Sequence, residues 1–375
     1  MPSDAQLAFA SIDEIASLYR RAKLSPVELT RFLLDRIGRL NPRFNAYLTL
    51  CEEQALRQAS RAESALVAKR RGKGTRDLGP LHGIPISLKD NIYTAGIRTT
   101  AGSKILQDFV PLHDAPVVTA LKKAGAILLG KTNMHEFAYG ATSNNPHYGP
   151  VRNPWDETRI AGGSSGGSAA ALAAGLCYGS IGTDTGGSIR IPASLCGVVG
   201  LKPGLGRVST EDVIPLSPTL DFVGPLARSV EDAGLLLEPI FTRGANERSL
   251  LPRNFPSPRA RRAKLGIPKE FFFDVVSPDV QGAFDRSIRI LKKGGASIKE
   301  LSLPLLPETE DAGNQIAWAE ATLYHQEAGW FPDRSADYGE DVRLRLEMGT
   351  KVSAVSYLQA LQTREGFIAA LHLAL

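Results

Sequence analysis

Short apolar runs alternate with helical stretches between residues 80 and 235. This alternation predicts an α/β chain in which helices cover a mixed, twisted central sheet as α/β/α layers. Ser25-Pro-Val-Glu28 combines an N-cap serine, a proline at the first helical position and a glutamate at N3, so we expect a helix from there to about Leu40. A second helix is expected over about 52–69, and both helices should pack outside the sheet.

A second β-α-β unit is expected after residue 263. Lys264–Pro268 and Ser297–Leu301 look like strands, and the helix between them should begin at Ser277-Pro278 and end at Gly294-Gly295. The stretch 241–262 is rich in Arg, Pro and Ser and is the best linker candidate. We therefore expect one domain over 1–375, with a helical layer at about 1–75, a core at about 76–240 and the second region at about 263–375.

The stretch Gly182–Arg190 reads Gly-Thr-Asp-Thr-Gly-Gly-Ser-Ile-Arg and follows the apolar run 176–181, which could be a buried strand. Glycines let successive N–H groups point into one concavity. Such a nest could hold the oxyanion of a tetrahedral intermediate, with Ser188 at its rim as the nucleophile. The candidate amides are those of Thr185, Gly186, Gly187 and Ser188. A tight turn with Ser188 as a helix N-cap is an equally good interpretation of this stretch alone.

A second glycine-framed stretch, Gly162–Ser168, leads into the helix-favouring run 169–174, and Gly175 follows where a C′ glycine belongs. Ser165 or Ser168 could cap this helix. Ser164 lies further out, in a turn where unusual backbone geometry is possible. A plain loop before a helix is the simpler interpretation.

Lys89 closes an alternating run, in which Ile84, Ile86 and Leu88 point to one face and Ser87 and Lys89 to the other. A lysine at a strand end usually lies at the surface with its stem on apolar groups. If Lys89 is buried instead, desolvation lowers its pKa, and a neutral lysine can act as a general base.

Two other motifs match only formally, and a third kind does not occur. Gly125–Thr132 fits the phosphate-loop spacing, but its variable positions Ala-Ile-Leu-Leu read as a strand. Gly163–Gly167 fits a nucleophile elbow centred on Ser165, but the residues before it are turn-like rather than an apolar strand. The metal-binding spacings H-E-x-x-H and C-x-x-C do not occur in the sequence.

The chain resembles the amidase signature family, most densely between residues 79 and 225. The matching motifs, in the order of the family, are Gly79–Asn91, Gly130–Phe137, Arg152–Asp156, Gly162–Ser168 and Gly182–Arg190. The resemblance places the catalytic lysine at Lys89, the bridging serine, reached through a cis peptide bond after Gly163, at Ser164, and the nucleophile at Ser188. It implies no metal and no other cofactor.

The resemblance also implies the reaction. Lys89 takes a proton from Ser164, which relays one from Ser188, and Ser188 attacks an amide carbonyl. The amides of 185–188 would hold the oxyanion, ammonia or an amine would leave, and water would then hydrolyse the acyl-enzyme.

The composition agrees with an enzyme of a reducing compartment. The three cysteines, Cys51, Cys177 and Cys196, form no disulfide pattern, and neither a signal peptide nor a membrane-spanning apolar run is present in the sequence. The net charge is +5, and the basic stretches do not interleave aromatics as a nucleic-acid groove would. We expect a cytoplasmic location and a small-molecule amide substrate, without direct contact to nucleic acid or membrane.

The C-terminal part departs from the family. The sequence stops at Leu375, in or just after a helix that begins near Ser353, whereas family members usually continue with further strands and helices. We therefore expect lower stability and impaired activity. A free-standing amidase is favoured over the glutamine-hydrolysing subunit of a tRNA-dependent amidotransferase, because the arginine-bearing stretch usual in that subunit is not found between Ile316 and Arg345. The resemblance implies a homodimer as the common assembly. An inactive remnant is the third alternative.

Overall fold

The computed structural model describes residues 3–73, 78–242 and 263–374. Its helices and strands are numbered separately, each in chain order. The helices are α1 (Asp4–Phe9), α2 (Ile12–Arg20), α3 (Pro26–Phe44), α4 (Glu52–Arg70), α5 (Pro116–Lys123), α6 (Gly166–Ala173), α7 (Arg190–Cys196), α8 (Val230–Leu237), α9 (Pro278–Lys293), α10 (Glu308–Glu327), α11 (Glu340–Gly349) and α12 (Ala354–Ala374). The strands are β1 (Tyr47–Leu50), β2 (Pro85–Lys89), β3 (Ile127–Thr132), β4 (Asn144–Asn145), β5 (Gly149–Pro150), β6 (Arg152–Asn153), β7 (Asp156–Ile160), β8 (Gly179–Asp184), β9 (Val199–Gly200), β10 (Phe222–Ala227), β11 (Lys264–Pro268) and β12 (Ser297–Leu301).

The chain forms two compact units. The first comprises Met1–Leu251 with Tyr324–Leu344, and the second comprises Pro252–Leu323 with Arg345–Leu375. In the second unit β11 and β12 pair in parallel across α9, which confirms the predicted β-α-β unit. Most of the predicted linker, residues 243–262, lies outside the described residues.

The first unit is built on a six-stranded sheet in the order β1-β3-β2-β8-β10-β9. The three central strands β3, β2 and β8 run parallel, and the outer pairings are antiparallel, so the predicted mixed sheet is confirmed. Every residue of these central strands is buried, as expected of parallel strands covered on both faces.

The two sides of β8 show how helices cover this sheet. A Cβ placed on Gly182 would meet Ser165, which precedes α6, whereas one on Gly179 would meet Leu236 of α8. Residues three apart on a strand point to opposite faces. Helices α6 and α8 therefore lie on opposite sides of the sheet, which gives the predicted α/β/α layers.

Two of the predicted boundaries differ from the structure. Strand β8 begins at Gly179 rather than near residue 176 and continues to Asp184, directly up to the candidate nucleophile loop. Helix α6 begins at Gly166, three residues before the alanine-rich run, and the two glycines and the serine of its first turn are buried. The predicted helices after Ser25 and over 52–69 are present as α3 and α4, with α3 extending four residues further, to Phe44.

The start of α6 allows a direct test of this packing. A Cβ on Gly167 would lie 2.4 Å from the carbonyl oxygen of Asn133 and 2.5 Å from that of Ala46. Gly167→Ala should therefore destabilise the fold by about 1–3 kcal/mol, because backbone has to move. The measurement is the urea midpoint of unfolding.

Gly38 supplies the matched control, because it lies at an exposed position of α3 where an added Cβ would have no atom within 4 Å. Gly38→Ala should raise stability by about 0.5–1 kcal/mol. Equal midpoints for the two variants would contradict the close approach of α6 to the loop at Asn133.

Candidate active site

Lys89 lies at the end of β2, between β3 and β8, and its side chain is fully buried. Its Nζ lies 2.6 Å from Ser164 Oγ and 2.6 Å from Thr183 Oγ1, with the carbonyl oxygen of Thr183 at 3.4 Å. The surface interpretation of this lysine is therefore excluded, and the amine directly contacts one of the two candidate serines.

Burial lowers the pKa of Lys89 to about 7, while the charges of Asp221 and Asp184 act in the opposite direction. Desolvation disfavours the ammonium form, and the two carboxylates recover part of that cost. An amine with such a pKa is substantially neutral at neutral pH, which suits a general base.

Ser164 follows a cis peptide bond from Gly163, as predicted. The Ser164 carbonyl oxygen accepts hydrogen bonds from the His135 N–H at 3.1 Å and from Ser143 Oγ at 3.3 Å. Ser143 Oγ also accepts from the Gly166 N–H at 3.1 Å. The turn is therefore fixed from outside, by a loop about twenty residues earlier in the chain.

Ser188 lies in the turn between β8, which ends at Asp184, and α7, which begins at Arg190, and the residue is 8% exposed. The Ser165 N–H donates to the Ser188 carbonyl oxygen at 3.1 Å, so the two serine loops run side by side. Through this contact the fold brings the segments of Ser164 and Ser188 together, and Lys89 joins them through its bond to Ser164.

Asp184 shapes the loop that carries Ser188. Its carboxylate accepts from the N–H groups of Gly187 at 2.9 Å and Ile189 at 3.1 Å, and from the Arg190 guanidinium at 2.8 Å. Burial opposes ionisation, but Arg190 and these amides hold the pKa of Asp184 below its ordinary value. The loop therefore wraps around a fixed anion.

This arrangement bears on the amides expected to hold an oxyanion. The Gly187 N–H is already engaged by Asp184, and Gly187 has a φ of 129°. In the described ranges, the amides of Thr185, Gly186 and Ser188 have no hydrogen-bond acceptor. They remain available for a substrate oxygen, and the oxyanion role of the whole segment stays a prediction.

The neighbouring serines have other partners. Ser165 Oγ donates to the Thr183 carbonyl oxygen at 3.1 Å, and Ser168 Oγ pairs with Thr132 Oγ1 at 2.8 Å. Of the two serines predicted to cap α6, Ser165 is the N-cap residue, although its side chain forms no cap hydrogen bond, and Ser168 lies inside the helix because α6 begins at Gly166. The N-cap of α7 is Ile189, so the alternative of a cap at Ser188 is wrong.

Six of the eight residues of the formal phosphate-loop match form strand β3. Its Lys131 is fully buried and donates to the Ile92 carbonyl oxygen at 2.6 Å and to Thr99 Oγ1 at 2.7 Å. Lys131 therefore links strand β3 to the loop at Ile92 and Thr99 inside the core, and its amine is not accessible to a phosphate group. A nucleophile elbow at Ser165 would need an apolar strand of the central sheet before it, and the sequence predicted a turn-like stretch there instead. The structure has the hairpin β6–β7 at this place, outside the central sheet, so the elbow interpretation is not supported.

Sequence reasoning missed three side chains that contact the candidate site or its loops, namely Thr183, Ser143 and Asp221. Thr183 lies within the motif Gly182–Arg190, and its place beside Lys89 follows from the pairing of β2 with β8. Nothing in the sequence around Ser143 or Asp221 pointed to these two residues.

The part of the chain that the structure describes contains no group of three His, Cys, Asp or Glu side chains able to hold a metal ion. Within the same residues, none of the helices combines the length and the apolar character needed to cross a membrane.

Comparison with known proteins gives consistent matches. The family model named Amidase matches residues 28–374. A subunit of the glutamyl-tRNA(Gln) amidotransferase of Syntrophobacter fumaroxidans is 40% identical over 379 residues, which cover 94% of this chain and 76% of that protein.

Solved structures of the same kind are similar in fold. A crystal structure of an amidase matches with a TM-score of 0.86 and 38% identity, covering 97% of this chain and 79% of that one. The corresponding glutamyl-tRNA(Gln) amidotransferase subunit from Thermotoga maritima matches with a TM-score of 0.75 and 33% identity, covering 98% of this chain and 76% of that one. The chain belongs to the amidase family, and it is an enzyme that hydrolyses amide carbon–nitrogen bonds.

Proposed function

We propose that the chain cleaves a small-molecule carboxamide through Ser188 as nucleophile, Ser164 as proton relay and Lys89 as general base. The observation that carries the proposal is the 2.6 Å contact between the buried Lys89 amine and Ser164 Oγ. A neutral amine in hydrogen-bond reach of a hydroxyl is the arrangement that activates a serine without histidine.

In the proposed first half-reaction, Ser188 Oγ bonds to the carbonyl carbon while its proton passes to Ser164, whose own proton passes to Lys89. The free amides near Gly186 stabilise the oxyanion. When the tetrahedral intermediate collapses, the C–N bond breaks and the relay returns a proton to the departing nitrogen. Water then attacks the acyl-enzyme by the reverse relay, releasing the carboxylate and Ser188.

A second candidate is the hydrolysis of glutamine as part of a larger amidotransferase. It is supported by relatives at 38–40% identity that are named as subunits of glutamyl-tRNA(Gln) amidotransferases. These names favour an association with other subunits over the homodimer expected from the sequence. The three buried, free cysteines are consistent with the cytoplasmic location that we propose for either candidate.

The nucleophile can be identified by covalent labelling. A fluorophosphonate should form one adduct, located on Ser188 by peptide mapping, because only an activated serine reacts. Ser188→Ala and Lys89→Ala should each abolish it and lower kcat/KM by roughly 10⁴- to 10⁶-fold, as the loss of a catalytic group does in a serine hydrolase. The matched control is Ser165→Ala, which should keep the adduct on Ser188.

An adduct on Ser165 would overturn this assignment. Absence of any adduct in a folded wild-type chain would support the inactive alternative instead.

The proposed base also fixes the pH dependence. Activity requires neutral Lys89, whose pKa lies at about 7, so kcat/KM should rise with pH through that region and then level off. Initial rates between pH 5 and 9 provide the measurement, on a carboxamide substrate that the wild type turns over. Lys89→Arg, which stays charged, should be inactive throughout, and a flat profile would contradict a lysine base.

Ammonia release separates the two candidate functions. A free-standing amidase should hydrolyse simple aliphatic or aromatic carboxamides faster than glutamine, since glutamine carries two charges that a general amide pocket does not pair. The measurement compares kcat/KM for glutamine and for uncharged carboxamides, with Ser188→Ala as the blank. A preference for glutamine, together with a larger native mass when amidotransferase subunits are added, would favour the second candidate.

A further inference from the structure

We propose that Asp221 is a positioning residue that couples the base Lys89 to the loop expected to hold the oxyanion. The inference rests on the proposed function, in which both groups act in the same step. It assigns to this carboxylate a role beyond those carried by the serine and lysine side chains.

The sheet register brings Asp221 to this loop. Asp221 immediately precedes β10 and Thr185 immediately follows β8, and these strands pair antiparallel with Asp184 opposite Phe222. Thr185 and Asp221 therefore meet one step beyond the last pair. Thr185 Oγ1 donates to Asp221 Oδ1 at 2.5 Å, so the first residue of the candidate oxyanion loop is held by this carboxylate.

The second oxygen of Asp221 is fixed as well. Its Oδ2 accepts from the N–H groups of Leu216 at 2.9 Å and Ser217 at 3.1 Å, and the residue is 9% exposed. All these donors are neutral, and in the described ranges no cationic side chain forms an ion pair with this carboxylate. A buried anion without a paired cation is costly unless a cation lies nearby.

Lys89 is the cation that meets this need. Its amine lies 2.6 Å from Thr183 Oγ1, and Thr183 and Asp221 line one cavity of about 180 Å³ beside β10. Of the two carboxylates that raise the pKa of Lys89, Asp221 has the larger effect and Asp184 the smaller. In return, Lys89 is among the groups that lower the pKa of Asp221, which burial raises to about 6.

The other charged groups near Lys89 have partners of their own, so Asp221 is the carboxylate that can stabilise the Lys89 ammonium. Asp184 is the second carboxylate that acts on Lys89, but it is already paired with Arg190 at 2.8 Å. Lys202 lies over the Phe222 ring at 3.4 Å, and the charges that act on its pKa are those of Asp184 and Arg190. When Lys89 accepts the relayed proton, Asp221 is therefore the unpaired charge that stabilises the new ammonium.

The test reads the Lys89 amine directly and does not depend on turnover. Lysine labelled with carbon-13 at Cε is followed by NMR across pH 5–10, and the Lys89 resonance is assigned by its loss in Lys89→Met. In Asp221→Asn the titration midpoint of Lys89 should fall by about one pH unit, because the anion that favours the ammonium is gone. An unchanged midpoint would overturn the proposal.

Two further variants separate charge from structure. Thr185→Val removes the hydroxyl bond but keeps the carboxylate, so the Lys89 midpoint should stay near the wild-type value while fluorophosphonate labelling slows several-fold. If Asp221→Asn does not fold, Asp221→Ser removes the same charge and keeps an acceptor oxygen. A midpoint that falls equally in Thr185→Val would show that loop packing, rather than charge, sets the lysine, and would reject the coupling.

Activity supplies a second readout. In Asp221→Asn the acid limb of kcat/KM should move to lower pH by the same amount, and the plateau should fall because a less basic amine accepts the proton less well. If the wild type forms no Ser188 adduct while the NMR shift is present, the proposed mechanism fails and the coupling stands. If the wild type forms the Ser188 adduct but Asp221→Asn leaves the Lys89 midpoint unchanged, the proposed mechanism stands and the coupling fails.

Discussion

The burial of one lysine amine at the end of a central strand is the constraint on which the site depends. Lys89 is enclosed by strands on both sides, and its nearest partners are the two hydroxyls of Ser164 and Thr183. In the contacts described, no carboxylate forms an ion pair with it. Hydroxyls can bond to either form of the amine, so the environment favours the neutral amine without leaving it unpaired.

This arrangement has a cost in stability. The pKa of Lys89 is lowered from 10.5 to about 7 on folding, so the unfolded chain binds a proton in this range that the folded chain releases. Burial of Lys89 therefore adds no protonation cost to folding above about pH 10.5, and the free energy of unfolding decreases as the pH falls from there toward 7. Lys131 is buried to the same extent, so burial alone does not distinguish the two lysines. What sets Lys89 apart is the contact of its amine with Ser164 Oγ.

Hydrogen bonds to backbone carbonyl oxygens hold the two serine segments of the candidate site in place. The Ser164 carbonyl oxygen is held by His135 and Ser143, and the Ser165 N–H reaches the carbonyl oxygen of Ser188. These bonds connect segments that are separated by 20 or more residues. They explain why glycine is required at position 163, where a Cβ would lie 2.7 Å from the Ser143 nitrogen.

The sequence predicted what local patterns determine. The alternation before Lys89, the capping box at Ser25 and the glycine-framed serines each led to an element or turn that is present. It did not predict contacts that depend on strand pairing. Asp221 meets Thr185 only because β8 and β10 are adjacent, and 36 residues separate them in the chain. The alternative of a cap at Ser168 was wrong because helix propensity does not register a packed glycine such as Gly167 at the start of α6.

The two carboxylates near Lys89 are of the same type but have opposite environments. Asp184 is surrounded by a guanidinium and several amides, and its pKa is lowered, so it stays an anion and anchors the nucleophile loop. Asp221 has only neutral donors and a pKa of about 6, close to that of Lys89 at about 7. Groups that interact and titrate in the same range do so as a pair, so each charge favours the other. In the proposed mechanism the rigid anion Asp184 therefore fixes geometry, while the responsive anion Asp221 adjusts to the proton that Lys89 would gain and lose.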